Sequence, residues 1–161
     1  MADQKISDMT DGVNAQDTDW IEISRAGTPR LTRRLALSNL AMIEKDVACS
    51  DESSQLSTGR KVTFRWKQRP IAQGLKISAS LTNAQVSGAT LVTVDVRKNG
   101  TTMFSTMLTF DNTEKTTETA TTPAVLTATS IAYDDEITVY LNAIQAGSVA
   151  SGLKVYFEGR A

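Results

Sequence analysis

From residue 61 to the end of the chain, apolar and polar side chains take turns, run after run. Val62, Phe64 and Trp66 alternate with Thr63, Arg65 and Lys67; Leu75, Ile77, Ala79 and Leu81 repeat the pattern; Val92, Val94 and Val96 alternate with Thr93, Asp95 and Arg97. A period of two is the period of a strand, and one dry face with one wet face is the mark of an antiparallel sheet lying on a core. Lys98-Asn99-Gly100 then turns the chain, because a tight type I′ hairpin needs positive φ at both central residues and Asn-Gly supplies it. A return strand is predicted over Met103 to Phe110, halting at Asp111-Asn112, with further strands over about Val125 to Ile131, over Ile137, Val139, Leu141 and Ala143, and over Leu153, Val155 and Phe157. The sum is about eight strands at the spacing of sandwiches and jelly rolls, between which the pattern does not choose. Trp66, in step with Phe64 and Val62, is expected in the core.

Residues 1–60 have a different grammar. Trp20-Ile21-Glu22-Ile23 is strand-like and ends at Gly27-Thr28-Pro29; Leu31, Arg33, Leu35 and Leu37 recur every second residue and suit another short strand. Ser38 can cap a short helix running to about Lys45, with Leu40, Met42 and Ile43 on its apolar side. Residues 50–59 (SDESSQLSTG) have the composition of a flexible linker. The expected fold is therefore mainly β, an antiparallel β-sandwich or jelly roll over 61–161, preceded over 1–60 by an extended N-terminal arm with short strands and one short helix. Such an arm is too poor in apolar residues to close a core of its own, so it is expected to lie on something else, and its removal (residues 1–50) is expected to leave a soluble sandwich.

Chemistry is sparsely provided. The chain contains no histidine and one cysteine, Cys49, which removes the commonest general base, a disulfide framework and a thiolate metal cluster. Cys49 is expected to act as a small hydrophobe. Asp134, Asp135 and Glu136 lack calcium-loop spacing and read as a turn whose carboxylates serve backbone N–H groups. Asp95, Asp111 and Glu118 offer carboxylates for glycosidase-type work, yet nothing favours a pair among them. No G-x-S-x-G, P-loop or dinucleotide fingerprint occurs. Enzymatic activity, a cofactor and a metal site are thus not expected. The net charge is −1, with a local basic excess at Arg60, Lys61, Arg65, Lys67 and Arg69, too short and too interleaved with apolar residues for a nucleic-acid face. The opening MADQKISDMTDG is unlike a signal peptide, and no apolar run approaches the ~20 residues of a membrane span. A protein kept in a cytosol-like compartment, or leaving it inside a particle, is expected.

The opening KISDMTDGVNAQDTDWIEISRAGTPRLTRRLALSNLA is similar to an N-terminal attachment module common in bacteriophage fibre and head-associated proteins. Met9 stands where Leu is usual there, and Arg30, Arg33 and Arg34 make the second strand unusually basic. From Thr90 onward the chain resembles a β-sandwich repeated among phage surface proteins, through its Asn-Gly hairpin, its TATTPAVL bend, its DDEITV strand start and its closing GLKVYFEG. The resemblance implies a capsid decoration (cement) or short head-fibre protein, a homotrimer assembled in the host cytoplasm and localised to the virion, bound to the major capsid protein or another virion protein. Trp20, Ile21, Ile23, Leu35 and Leu37 are the expected contact groups, with Arg30, Arg33 and Arg34 pairing to an acidic shell surface. The alternative is a tail- or head-fibre tip that binds a host surface glycan, with residues 113–122 as a recognition loop. Neither reading involves nucleic acid or a membrane.

Overall fold

The computed structural model describes residues 42–161 and, ahead of them, two short strands. The chain divides into two units between Ala41 and Met42. In the first unit β1 (Trp20–Ile23) and β2 (Arg33–Ala36) form an antiparallel pair, with Ile21 opposite Leu35 and Glu22 opposite Arg34. Both strands fall where the alternation puts them. The expected helix positions 38–41, with Leu40, lie outside the described residues.

The second unit carries β3 (Met42–Ala48), β4 (Gly59–Arg65), β5 (Gln73–Ser80), β6 (Val92–Lys98), β7 (Thr101–Thr102), β8 (Phe104–Thr106), β9 (Leu108–Phe110), β10 (Val125–Leu126), β11 (Glu136–Ala143) and β12 (Lys154–Arg160). One sheet has the order β3-β12-β5; the other has the order β4-β11-β6, with β7 and β9 along the outer edge of β6, and β8 pairs separately with β10. Every pairing is antiparallel. No helix occurs among the described residues. The inward rows Val92, Val94, Val96 and Ile137, Val139, Leu141 of one sheet meet Ile77, Ala79 and Val155, Phe157 of the other in a single buried cluster. Phe157 joins the layers: its ring lies edge-on to Trp66 at 5.6 Å and to Phe64 at 6.1 Å between centroids. Trp66 is fully buried, and its indole N–H donates to the Arg69 carbonyl at 2.9 Å. Asn99 and Gly100 both take positive φ, 49° and 84°, closing the β6–β7 hairpin. Beside Phe157 on the same face, Gly159 leaves room for Ile71, whose Cγ2 would stand 2.3 Å from an added Cβ.

Five expectations are corrected. The residues assigned to a helix end, Met42 to Lys45, begin strand β3 instead, paired residue for residue with β12 from Met42–Arg160 to Ala48–Lys154. Ile43 turns inward and Glu44 and Asp46 outward, so seven residues of ladder outweigh a weak local helix preference. Residues 50–59 are a built turn and not a linker: Asp51 Oδ1 accepts from the Ser53 and Ser54 amides at 2.8 and 2.9 Å, Leu56 is buried, and its amide donates to the Ala150 carbonyl at 2.8 Å. The self-contained unit accordingly begins at Met42 rather than at residue 61. Finally, the single return strand expected over 103–110 is broken into β7, β8 and β9, and the strand expected over 125–131 is reduced to β10 plus an isolated bridge between Ile131 and Ile71.

These corrections change what truncation does. Removing residues 1–41 is expected to leave the denaturation midpoint of the sandwich within a few tenths of a molar of the full chain, whereas removing 1–50 strips β3 from β12 and exposes the core. Circular dichroism with a urea titration separates the two; equal folding of both truncations would contradict the role given to β3.

Candidate functional site

The register of the strands gives the second unit two distinct ends. Met42 lies opposite Arg160, and Arg65 and Lys98 lie near Glu136 and Ile137 at that same end, together with the connections 66–72, 99–100 and 127–135. The connections 49–58, 81–91 and 144–153 gather at the opposite, distal end. There the loops are stitched to one another. Asn83 Nδ2 donates to Ser151 Oγ at 2.8 Å, Ser151 Oγ donates to the Glu52 carbonyl at 2.8 Å, and Lys154 pairs with Glu52 at 2.6 Å.

The distal end also holds a cavity of about 510 Å³, between residues 85–89 and 145–149. Buried Gln85 sets its geometry. Its Nε2 donates to the Thr90 carbonyl and to Asn112 Oδ1, both at 2.9 Å, while its Oε1 accepts the Gln145 amide at 3.2 Å. Gln145 Oε1 accepts the Thr90 amide at 3.2 Å, and Gly88, at φ 139°, lies so close to the Gln145 side chain that an added Cβ would fall 2.6 Å from its Cγ. Val86 and Val149 stand 66% and 50% exposed at the mouth, and no ionisable residue lines the cavity. Only glycines and serines marked this place in the sequence, and they mark any loop.

The sequence candidates for chemistry are occupied elsewhere, each by its own local partners. Asp95, fully buried on the outer side of β6, accepts from Arg97 Nε at 2.8 Å and from Thr102 Oγ1 at 2.5 Å, and the Arg97 guanidinium stacks 4.2 Å over the Tyr140 ring. Asp111 accepts from the Thr121 amide and hydroxyl, both at 2.7 Å, which holds its carboxyl below the usual range. Glu118 is ion-paired with Lys76. The acidic run forms a turn at positive φ for Asp134: Lys67 sits 2.5 Å from Asp134, Asp135 accepts from the Ala132 amide and Asn99 Nδ2, both at 2.7 Å, and Glu136 pairs with Arg65 at 3.5 Å. Two cations of the basic stretch are thereby neutralised. Among the described residues no group of three or more His, Cys, Asp or Glu could hold a metal ion.

Residues 113–122, the expected recognition loop, are pinned to the sandwich. The Thr117 amide donates to the Ala79 carbonyl at 3.1 Å, and the Ala79 amide donates to Thr117 Oγ1 at 2.9 Å. Of the expected contact residues, Trp20, Ile21 and Ile23 lie on β1 and Arg33, Arg34 and Leu35 on β2, brought together by their pairing. Arg30 and Leu37 lie outside the described residues. Comparison with known proteins brought no match to a family model, a curated protein or a solved structure.

Cys49 is buried at the end of β3, and burial pushes its thiol up to about 12, partly opposed by a backbone hydrogen bond from Val155. The native protein is therefore expected to resist thiol reagents at neutral pH and to react fully once unfolded. In the unfolded chain the thiol ionises from about its ordinary value of 9. The unfolded state then releases a proton that the folded state keeps, so this stabilising contribution is complete below pH 9 and is lost as pH rises toward 12. Fast labelling of the folded protein would contradict both statements.

Proposed function

We propose that this chain is a non-enzymatic structural protein of a bacteriophage virion, a capsid decoration (cement) or short head-fibre protein that docks on the shell through its N-terminal arm and stabilises it. One observation carries most of the weight. The unit from Met42 onward buries its own core and, among the described residues, leaves no buried side-chain polar atom without a partner, while the described residues of the other unit form a two-stranded pair of four residues each. A lone two-stranded hairpin is marginal in water. Its stabilising contacts are then supplied by a foreign surface, the major capsid protein or another virion protein, with Trp20, Ile21, Ile23, Leu35 and Leu37 as apolar contacts and Arg30, Arg33 and Arg34 against acidic groups. A specific interface buries roughly 1,200–2,000 Å² in total, which a segment of this length supplies. Because the docking site exists only on the assembled shell, binding stabilises the particle by linkage.

Two further features fit this reading. First strand with last (β3–β12) and second with next-to-last (β4–β11) are the nested pairings of a rolled-up hairpin, which supports reading the sandwich as a jelly roll. The chain enters the sandwich at Met42, at the end opposite the distal loops. Self-association as a homotrimer belongs to the same proposal. A second reading, a fibre tip that binds a host surface glycan, is favoured by the uncharged distal cavity between Val86 and Val149, whose size falls in the range of small-ligand sites.

Virus particles assembled with the full chain, or with a chain lacking residues 1–41, test the proposal. The full chain is expected to co-sediment in hundreds of copies per particle and to raise the temperature of shell rupture; the truncated chain is expected to fold and stay in the supernatant. Particle binding by the truncated chain would contradict docking through the arm. A handful of copies per particle would favour the fibre tip.

A further inference from the structure

The two sheets are unequal. One is three strands wide, β3-β12-β5, while the other extends past β6 to β9. Among the described residues, side chains of the wider layer therefore have no strand of the narrower sheet above them beyond the edge of β5. A cleft of about 340 Å³ opens there, lined by Leu75 and Ile77 of β5 and by Phe104, Leu108, Ala124 and Leu126.

The backbone of β5 is open along the same cleft. Ala79 turns its amide and carbonyl away from β12 to Thr117, and the Leu81 amide donates to the Lys115 carbonyl at 2.9 Å. Alternate residues of a strand direct their backbone groups to the same side, so the N–H and C=O of Leu75 and Ile77 face outward too. Among the described residues, no hydrogen bond from outside the β12 ladder reaches them. Residues 115–117 thus begin a fourth strand on β5 and then depart, leaving two residues of ladder vacant.

Other long edges of the sandwich are guarded in the ways that prevent strand addition. On β3, Lys45 points inward with its ammonium 5.4 Å over the Phe64 ring, between the outward charges Glu44 and Asp46. On β4, Arg60, Lys61 and Arg65 line the edge strand. The vacant stretch of β5 has Leu75 and Ile77 inward, and its one charge, Lys76, is held by Glu118.

We propose that the Leu75–Ser78 edge of β5 is a strand-addition site for an extended segment of a partner polypeptide. The free N–H and C=O groups require extended backbone, and the cleft takes two aliphatic side chains at alternate positions of it. Charge selects the residue between them. Glu44, Glu158 and Lys76 stand in one cross-strand row with Glu118 beyond, three carboxylates to one ammonium, so the outward residue of the partner is a lysine or arginine. This site makes no use of the arm and goes beyond docking through it.

The full chain, labelled with nitrogen-15 and titrated with the capped peptide Thr-Val-Lys-Val-Thr, provides the test. The amide signals of Leu75 and Ile77 are expected to move downfield and to exchange more slowly. The same peptide with glutamate in place of lysine is expected to bind about tenfold more weakly, the effect of one charge contact made repulsive. Leu75→Lys, which places a charge at the cleft without touching a ladder bond, abolishes binding while the rest of the spectrum is kept; Glu118→Gln narrows the lysine–glutamate difference. Absence of shifts at Leu75 and Ile77 at millimolar peptide overturns the proposal, as does binding that survives Leu75→Lys. The same shifts arising when the protein is merely concentrated, without peptide, would assign the edge to a second copy and contradict a foreign partner.

Discussion

Phe157 lies on the middle strand of the narrower sheet and reaches across to Trp66 and Phe64, and through it the two layers share one core. Truncating a buried aromatic at such a place typically costs about 3–5 kcal/mol, a large part of what a domain of this size has to spare. The strand that carries Phe157 is also the last in the chain, and it is flanked by the first and third strands of its unit. The terminal strands are therefore neighbours. Long-range pairing of this kind makes folding slow and leaves the unit dependent on both of its ends, which is why the boundary at Met42 matters more than composition suggests.

The polar side chains of the sandwich work chiefly to hold its shape. Asp51 and Asp135 each close a turn by accepting backbone amides, Asp111 holds the Thr121 amide ten residues on, and buried Asp95 pairs with Arg97 and accepts from the Thr102 hydroxyl. Buried Gln85 ties together two loops and the Thr90 carbonyl that neither could satisfy by itself. A molecule built in this way has surfaces to offer, and two of them differ in character: an uncharged cavity among distal loops, and an open edge on β5.

Strict alternation made most of the strands legible, because residues with one face buried must repeat every second position. The Asn99-Gly100 turn, the buried Trp66 and the acidic turn at Asp134 were legible for equally local reasons. Strand β3 was not. Its inward row contains Lys45, whose charge escapes at the sheet edge over Phe64, so a purely apolar alternation is missing and Leu40 and Ile43 mimic helix spacing. Residues 50–59 look like a linker since Ser and Asp are common in both linkers and built turns; the bonds of Asp51 to Ser53 and Ser54 depend on how the chain is folded, not on composition. The vacant ladder on β5 was beyond reach for a different reason. An unpaired edge is a property of which strands fail to meet, and a sequence records only those residues that could.

Native-state hydrogen exchange on the full chain, free in solution, tests the central claim most directly, namely that the sandwich sustains itself while the β1–β2 pair depends on a foreign surface. The account predicts that amides of Val94, Val139 and Phe157 exchange only through global unfolding, whereas those of Ile21 and Leu35 exchange with little protection until a partner is bound. Protection of Ile21 and Leu35 as deep as that of Phe157, in the isolated monomer, would contradict it.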